Sequence, residues 1–286
     1  MTSNPRTQLS VPLPSGRVLT GASFGPPEGR PVLFVAGAAT GKSMSFGDDC
    51  LERLGIRLLT MDRPGMGGSS PDPDRTVAST AEDYRAFVSA AIRDESPVVA
   101  VVANSQGALF GLAIAAAGWA SSLVLVSPAD EIAHPVIHDM LPPQATQLAD
   151  MVRDAPEAAR KMLSSFTPEA MEEMVLSGSG EEDRAFYSAA PFLARYRTAL
   201  EEGFANGAAG YVQDTLMAMR TWPIDPTSVT CPVRILFGEK DRTHSPDLGA
   251  TLTSRFPSAT RDVIVGAGGA LLWTHSAHIL SSLLPH

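Results

Sequence analysis

The chain has 286 residues, enough for one large domain with an extensive core. Hydrophobic residues make up 44% and charged residues 19%, a composition that is typical of a folded globular protein and too apolar for a disordered one. The net charge of -9, without any long basic run, argues against partners such as nucleic acid or an anionic membrane surface.

Two cysteines, Cys50 and Cys231, cannot by themselves form a disulfide framework or a metal site, and we expect both to be reduced thiols. The first six residues lead into a strand-like segment rather than into an apolar stretch with a cleavage site. No apolar run approaches the ~20 residues that a membrane span needs. We therefore expect a cytoplasmic protein.

Short apolar segments dominate the first half of the chain. The opening residues predict an edge hairpin, because Pro14-Ser-Gly16 separates two strand-like stretches and proline is tolerated at a sheet edge. Runs without a polar interruption are typical of strands buried on both faces of a parallel sheet. Six such runs follow, at Pro31–Ala36, Ile56–Met61, Val98–Ala103, Ser122–Val126, Val233–Phe237 and Arg261–Val265. Helical patterns at Ser79–Arg93 and Gln106–Ala117 lie between them, so the alternation predicts a doubly wound α/β sheet.

From residue 130 to residue 222 the strand pattern disappears. Helical segments are predicted at Pro142–Phe166, Pro168–Leu176 and Glu181–Gly203, in a stretch rich in methionine. A helical insertion of this kind predicts a lid over a binding cleft, inserted into a core formed by residues 1–129 and 223–286. Met140 and Trp222, near the two ends of the insertion, are predicted to contact substrate.

The strongest local motif is Val101-Val-Ala-Asn-Ser-Gln-Gly-Ala108. A buried strand ends, a serine stands between small residues, and a helix begins. Such a turn presents the Ser105 hydroxyl outward, and Ala103 and Gly107 let the backbone pass closely. The amide of Gln106 would then point at a developing oxyanion.

The motif resembles the nucleophile elbow of α/β-hydrolases, with Ala103 in place of the usual first glycine. Three further segments follow the order of that family. Ala36–Gly41 is similar to its oxyanion loop, Asp62–Ser70 matches its D-x-x-G-x-G-x-S turn, and Pro232–Asp241 matches the strand and turn that present the triad acid. The resemblance covers the chain from about residue 8 onward and implies an α/β-hydrolase fold.

The resemblance also implies roles for individual residues. Ser105 would be the nucleophile, the amides of Ala38 and Gln106 the oxyanion donors, and Asp241 the triad acid. The last motif departs from the family, because Gly269 occupies the position of the catalytic histidine in an otherwise intact turn. A serine hydroxyl is a poor nucleophile without a base. We therefore expect an impaired hydrolase, since general-base help is worth about 10²–10⁴ in rate.

Three accounts of Gly269 stay open. The chain is an inactivated variant of a working hydrolase, or a homologue that lost hydrolysis and now binds, cyclises or isomerises a ligand in the same cleft, or an enzyme whose base comes from elsewhere. His244 shares the loop of Asp241 and is the best substitute, although a bystander role is favoured. Asp130 and Glu131 are alternative acids, but helix capping explains them equally well.

The sequence thus predicts a serine hydrolase of ester-type bonds in a small, apolar substrate, with amide, lactone or thioester substrates as less favoured choices. No metal or organic cofactor is implied, and the oligomeric state is left open. One alternative from another class is a nucleotide-binding protein, because Ala36–Ser43 fits a relaxed P-loop pattern that includes Lys42. That alternative leaves Ser105 and Asp241 without a role.

Overall fold

The computed structural model describes residues 7–284. Residues 1–6, on which the prediction about a leader partly depends, and His286 lie outside the described residues. Within the described part of the chain, no helix is long and apolar enough to cross a membrane.

Within the described residues, eight strands form one sheet. They are β1 (Thr7–Pro12), β2 (Val18–Phe24), β3 (Arg30–Val35), β4 (Ile56–Met61), β5 (Val99–Ser105), β6 (Ala120–Pro128), β7 (Val233–Gly238) and β8 (Ala259–Ile264). Their order in the sheet is β1-β2-β4-β3-β5-β6-β7-β8. The predicted hairpin is β1 and β2, which pair antiparallel at the edge. Strand β2 also runs antiparallel to β4, and every later pairing is parallel.

The strands form where uninterrupted apolar runs can be buried on both faces. The central strand β5 is buried along its length except for its last residue, Ser105. Two clusters of buried apolar side chains lie one on each face of the sheet; one includes Val101 and Phe110, the other Val102 and Leu236. The predicted mostly parallel α/β sheet is therefore confirmed, and its successive strand residues alternate between the two clusters.

The core helices are short apart from two that cover one face. Helix α2 begins after Thr76, whose hydroxyl accepts the N–H of Ser79, and α3 starts directly after the Ser105 turn. The helices outside the insertion are α1 (Leu51–Leu54), α2 (Val77–Ile92), α3 (Gly107–Ala116), α11 (Ala250–Arg255), α12 (Leu271–Thr274) and α13 (Ser276–Ser281).

Seven α-helices lie between β6 and β7, and we call the segment that they form the helical insertion. They are α4 (Pro135–Met140), α5 (Pro143–Asp154), α6 (Pro156–Ser164), α7 (Pro168–Gly178), α8 (Glu181–Tyr187), α9 (Ala190–Gly203) and α10 (Ala209–Ala218). Its action as a lid, and the exact division of the chain at residues 130 and 222, stay predictions.

Two predicted helices of the insertion were wrong in length. The segment Pro142–Phe166 is divided at Ala155, and Glu181–Gly203 is divided before Ala190. The reason is proline, which lacks an N–H and disfavours the helical conformation of the preceding residue: Pro156 and Pro191 each stand in the first turn of a new helix.

Candidate active site

Ser105 lies at the carboxyl end of the central strand in a conformation that the turn imposes on it. Its φ of 51° is in the left-handed region, which a residue with a side chain occupies only when the surrounding structure compensates the cost. The helix α3 begins two residues later. The fold therefore turns the Ser105 side chain out of the sheet, and it is partly exposed.

The turn requires glycine at position 107, because the backbone of β3 leaves no space there for a side chain. A Cβ atom at Gly107 would lie 2.4 Å from the carbonyl oxygen of Val35 and 2.7 Å from that of Ala36. On the next turn of α3, a Cβ at Gly111 would lie 2.8 Å from Cβ of Ala103. The helix can start this close to β3 and β5 only with glycine at both positions.

The loop after β3 lies against the serine. The parallel register pairs Val35 with Ala103, so Gly37 follows β3 at the same level at which Ser105 ends β5. A Cβ atom at Gly37 would lie 3.2 Å from Cβ of Ser105. The next residue is Ala38, whose amide, like that of Gln106, donates no hydrogen bond to a loop or turn acceptor within residues 7–284. The predicted role of these two amides as oxyanion donors stays a prediction.

A buried arginine holds this loop in place. The guanidinium of Arg63 donates to the carbonyl oxygens of Ala36, at 2.9 Å, and Gly37, at 2.8 Å. Its Nε donates to Asp214 of α10 at 2.5 Å. Arg75 donates to the other carboxylate oxygen of Asp214, so one anion on the helical insertion joins two buried cations of the core.

Burial and the neighbouring groups act in opposite directions on the charge of Arg63 in this cluster. Arg63, Arg75 and Asp214 are all buried. Burial works against the charge of Arg63, but the neighbouring Asp214 and Tyr84 together outweigh it and raise the pKa of the guanidinium. Breaking such a buried pair leaves an uncompensated charge, so we infer that the cluster fixes the loop between Ala36 and Ala38 relative to α10.

The segment that fits a P-loop pattern has no phosphate cradle in the structure. The amide of Lys42 donates to Asp62 at 2.7 Å, and that of Ser43 donates to Glu202 at 2.7 Å. The ammonium of Lys42 pairs with Asp62 at 2.8 Å, so its charge is also neutralised by protein groups. A P-loop needs these donors for phosphate and a helix directly after them. Since neither condition is met here, the nucleotide-binding alternative is dropped.

Asp241 stands just after β7, buried, and the imidazole of His244 is its main partner. Nδ1 of His244 lies 3.0 Å from Oδ1 and 2.9 Å from Oδ2 of Asp241. The amide of Thr243 donates to the same carboxylate at 3.1 Å. Burial alone would raise the pKa of Asp241, but His244 and this amide outweigh it and lower the pKa to about 2. The Asp241 carboxylate is therefore ionised near neutral pH and held by the imidazole and the Thr243 amide, and its role as a triad acid stays a prediction.

Gly269 lies on the turn after β8 and faces the same histidine. A Cβ atom at Gly269 would lie 3.4 Å from Cε1 and 3.5 Å from Nδ1 of His244. Asp183 of α8 closes the other side, since its carboxylate accepts the N–H of Gly269 at 2.7 Å and that of Ala270 at 3.0 Å. Asp241, His244 and the Gly269 turn are therefore brought together, with the helical insertion docked against them.

A family model described as the alpha/beta hydrolase family matches residues 32–282. The chain belongs to the alpha/beta hydrolase family. No curated protein matches the sequence.

Solved structures that resemble this alpha/beta hydrolase include three from bacteria. An esterase from Thermogutta terrifontis shares 18% identity, with 97% of this chain and 96% of that chain covered and a TM-score of 0.68. A hydrolase from Pseudomonas aeruginosa PA01 shares 19%, with 97% of both chains covered and a TM-score of 0.67. An enol-lactonase from Burkholderia xenovorans LB400 shares 16%, with 96% and 97% covered and a TM-score of 0.67. At these identities the likeness concerns the fold.

The remaining predicted site residues of this hydrolase lie in different surroundings. Trp222 is buried among core side chains and donates its indole N–H to Ala218 at 3.0 Å, while Met140 ends α4 with half of its surface exposed. Their contact with substrate stays a prediction. Glu131 accepts the Trp222 amide at 2.9 Å and pairs with Arg255 at 2.5 Å, which indicates a structural role.

Asp130 differs from its neighbour Glu131 because, within the described residues, no ion pair neutralises its buried carboxylate. Burial raises the pKa of this carboxyl group, although the nearby Ser245 hydroxyl and Glu131 amide act in the opposite direction. The Asp130 amide donates to the carbonyl oxygen of His244 at 3.0 Å, so the backbone of Asp130 contacts the loop that follows Asp241. Asp241 hydrogen-bonds to an imidazole, whereas no such bond is formed by the Asp130 carboxylate. Asp241 therefore stays the preferred candidate for the triad acid.

Two residues of this alpha/beta hydrolase site escaped the sequence analysis. Arg63 was included only as part of a turn motif, and Asp183 was one of three consecutive acidic residues at a helix start. A single arginine in a turn and an acidic helix start are both ordinary surface features. No local signal separates them from solvated charges, because their partners lie far away in the chain.

Within residues 7–284, no group of three or more His, Cys, Asp or Glu residues is arranged to hold a metal ion.

Proposed function

We propose that the protein is a carboxylic ester hydrolase in which Ser105 is the nucleophile. The observation that carries this proposal is the position of Ser105 at φ 51° on the strand-to-helix turn of a family member, beside a loop with a free backbone donor. A strained serine conformation has no evident structural benefit here, and such strain concentrates at functional sites.

The proposed reaction begins with a bond between Oγ of Ser105 and the carbonyl carbon of the ester. The hydroxyl proton passes to a base, and the carbonyl oxygen becomes an anion that accepts hydrogen bonds from the amides of Ala38 and Gln106. When the tetrahedral intermediate collapses, the bond to the leaving oxygen breaks and the alcohol departs with that proton. Water then repeats the sequence on the acyl-enzyme and releases the acid.

Asp241 supports this mechanism as the group that orients the base. Its carboxylate is buried and ionised, and it is already bound by an imidazole nitrogen. With Gly269 in the histidine position of the family, the turnover depends on whether another group accepts the serine proton. If none does, the enzyme is impaired by about 10²–10⁴ in rate, as the sequence predicts.

The comparisons and a cluster of aromatic rings support the proposed class of substrate. Esterase and enol-lactonase names among similar structures suggest an oxygen ester or a lactone. The helical insertion carries a group of neighbouring aromatic rings, Phe186, Tyr187 and Phe192, with Trp273 of α12 packed against the last two. Apolar rings near the docked turn favour a substrate with an apolar acyl or alcohol part.

A second candidate is a non-hydrolytic protein that uses the same cleft for ligand binding or for cyclase- or lyase-type chemistry. The observation that favours it is Gly269, which removes the side chain that hydrolysis requires in this family. On this account Ser105 is retained by the fold and carries no acyl group.

Steady-state hydrolysis of p-nitrophenyl acetate, butyrate and octanoate by the full chain and by Ser105→Ala distinguishes the two. If the protein is a hydrolase, we expect the full chain to turn these esters over. Ser105→Ala should lower that rate by about a hundredfold or more, because it removes the nucleophile. Equal rates for both proteins on all three esters would contradict it and favour the binding alternative.

A further inference from the structure

We propose that His244 is the general base of Ser105, so that the imidazole comes from the acid's own loop and Gly269 leaves space for it. This inference rests on the ester-hydrolase function proposed above. It names a catalytic residue at a position different from the one that the sequence motif of the family indicates.

The first observation is where the ring of His244 lies. Cε1 and Nδ1 are 3.4 and 3.5 Å from the point at which a Cβ of residue 269 would stand. These are ordinary van der Waals distances, so a Cβ at position 269 would touch this ring and a longer side chain would start beside it. The imidazole of His244 and a histidine at position 269 would therefore compete for the same corner of the site.

The second observation is the orientation of the ring. Nδ1 is directed at Asp241, with the Thr243 hydroxyl also 3.1 Å away. Nε2 is on the opposite side of the ring, and no described residue forms a hydrogen bond with it. Only 18% of the His244 side chain is exposed. A carboxylate on Nδ1 with Nε2 left open is the arrangement in which an imidazole takes a proton from a serine.

The third observation ties His244 to the nucleophile through the backbone. Two consecutive amides bind the two residues: that of Ala129 donates to the carbonyl oxygen of Ser105 at 3.0 Å, and that of Asp130 donates to the carbonyl oxygen of His244 at 3.0 Å. Consecutive Cα atoms are about 3.8 Å apart. The dipeptide Ala129-Asp130 after β6 therefore keeps the backbones of Ser105 and His244 close to each other.

The other histidines in the described part of the chain lack these features. His138 pairs with Asp150 on the insertion at 3.2 Å, and Nδ1 of His275 lies 2.9 Å from the hydroxyl of Thr274. Within residues 7–284, His244 is the histidine that hydrogen-bonds to Asp241.

No hydrogen bond joins Oγ of Ser105 to His244 in this structure. Catalytic hydrogen bonds are often long before substrate is bound and tighten in the complex, so the inference includes this tightening. In the proposed step Nε2 takes the proton from Oγ as the bond between Oγ and the acyl carbon forms. Nε2 then gives this proton to the leaving oxygen as its bond to the acyl carbon breaks, and Asp241 stays ionised throughout.

Five variants test the inference: His244→Ala, His244→Gln, Gly269→His, the double variant His244→Ala/Gly269→His, and His278→Ala as a control histidine on α13. Each is assayed with p-nitrophenyl butyrate and for the rate at which a fluorophosphonate labels the chain. We expect His244→Ala to lower kcat/KM and the labelling rate by about a hundredfold or more, as for a lost general base. His278→Ala should retain both.

Gly269→His separates the two possible bases. If His244 is the base, Gly269→His alone gives no large gain, whereas in the His244→Ala background it restores part of the lost turnover. Urea unfolding of His244→Ala, and of His244→Gln as the less disruptive change, checks that lost turnover is not lost folding.

Failure of the inference differs from failure of the proposed function. Ser105-dependent turnover that folded His244→Ala and His244→Gln retain in full would overturn the role of His244 and leave the hydrolase standing. A gain of about a hundredfold or more from Gly269→His alone would do the same. Absence of Ser105-dependent turnover in the unsubstituted chain would overturn both.

Discussion

The carboxylate of Asp183 accepts the backbone N–H of Gly269 at 2.7 Å, which joins α8 of the helical insertion to the turn that carries the catalytic histidine elsewhere in the family. The second oxygen accepts the amide of Ala270 at 3.0 Å. The helical insertion is thus docked on the turn through two backbone donors. Together with His244, Asp183 occupies the surroundings into which a side chain at position 269 would extend.

Asp183→Ala should loosen this docking. The amides of Gly269 and Ala270 would lose their acceptor. A buried donor that is left without an acceptor costs about 1–3 kcal/mol of stability. The adjacent Glu182→Ala is the matched control, because its ion pair with Lys240 is largely exposed and such pairs contribute little. Urea unfolding should show a lower free energy of unfolding for Asp183→Ala than for Glu182→Ala; equal values would contradict the docking role.

Arg63→Lys should impair ester turnover more than its loss of stability explains. Lysine cannot donate simultaneously to the carbonyl oxygens of Ala36 and Gly37 and to Asp214. Arg75→Lys is the control, since Arg75 shares Asp214 but does not contact the loop beside Ser105. We expect both variants to have a lower free energy of unfolding. Only Arg63→Lys should also lower kcat, by about tenfold or more, because it would displace the loop that carries a proposed oxyanion donor. The same kcat in both variants would show that the loop does not need Arg63.

The low pKa of Asp241 predicts a defined pH dependence of stability. Because its pKa falls from 3.8 to about 2 on folding, the carboxylate stabilises the folded state above pH 4, and this contribution is lost as the pH falls towards 2. Asp241→Asn lacks the titrating group. Urea unfolding at pH 5, 4 and 3 should therefore show a steeper loss of unfolding free energy in the unsubstituted chain. Parallel curves for the two proteins would contradict the shift.

The sequence was sufficient for the sheet and for the positions of Ser105 and Asp241. Ser105 ends β5 and Asp241 follows β7, and the carboxyl ends of these parallel strands meet at one edge of the sheet. The helical insertion was predicted less well. Helix α10 was missed, and Pro156 and Pro191 ended helices that the periodicity extended.

His244 shows why the rest of the site could not be predicted. The spacing of Asp241 and His244 is visible in the sequence, but the same spacing is also common in surface loops. What distinguishes it is the direction of the ring, which depends on the turn at Gly269 and on the Asp130 amide. These contacts come from different strands, so no local pattern contains them.

Covalent labelling tests the central claim, that Ser105 is an activated nucleophile, most directly. The full chain and Ser105→Ala are incubated with a fluorophosphonate, and the products are analysed by intact mass and by peptide mapping. The account predicts one adduct per chain, located on Ser105 and absent from Ser105→Ala. An unlabelled chain, or an adduct on another residue that persists in Ser105→Ala, would contradict it.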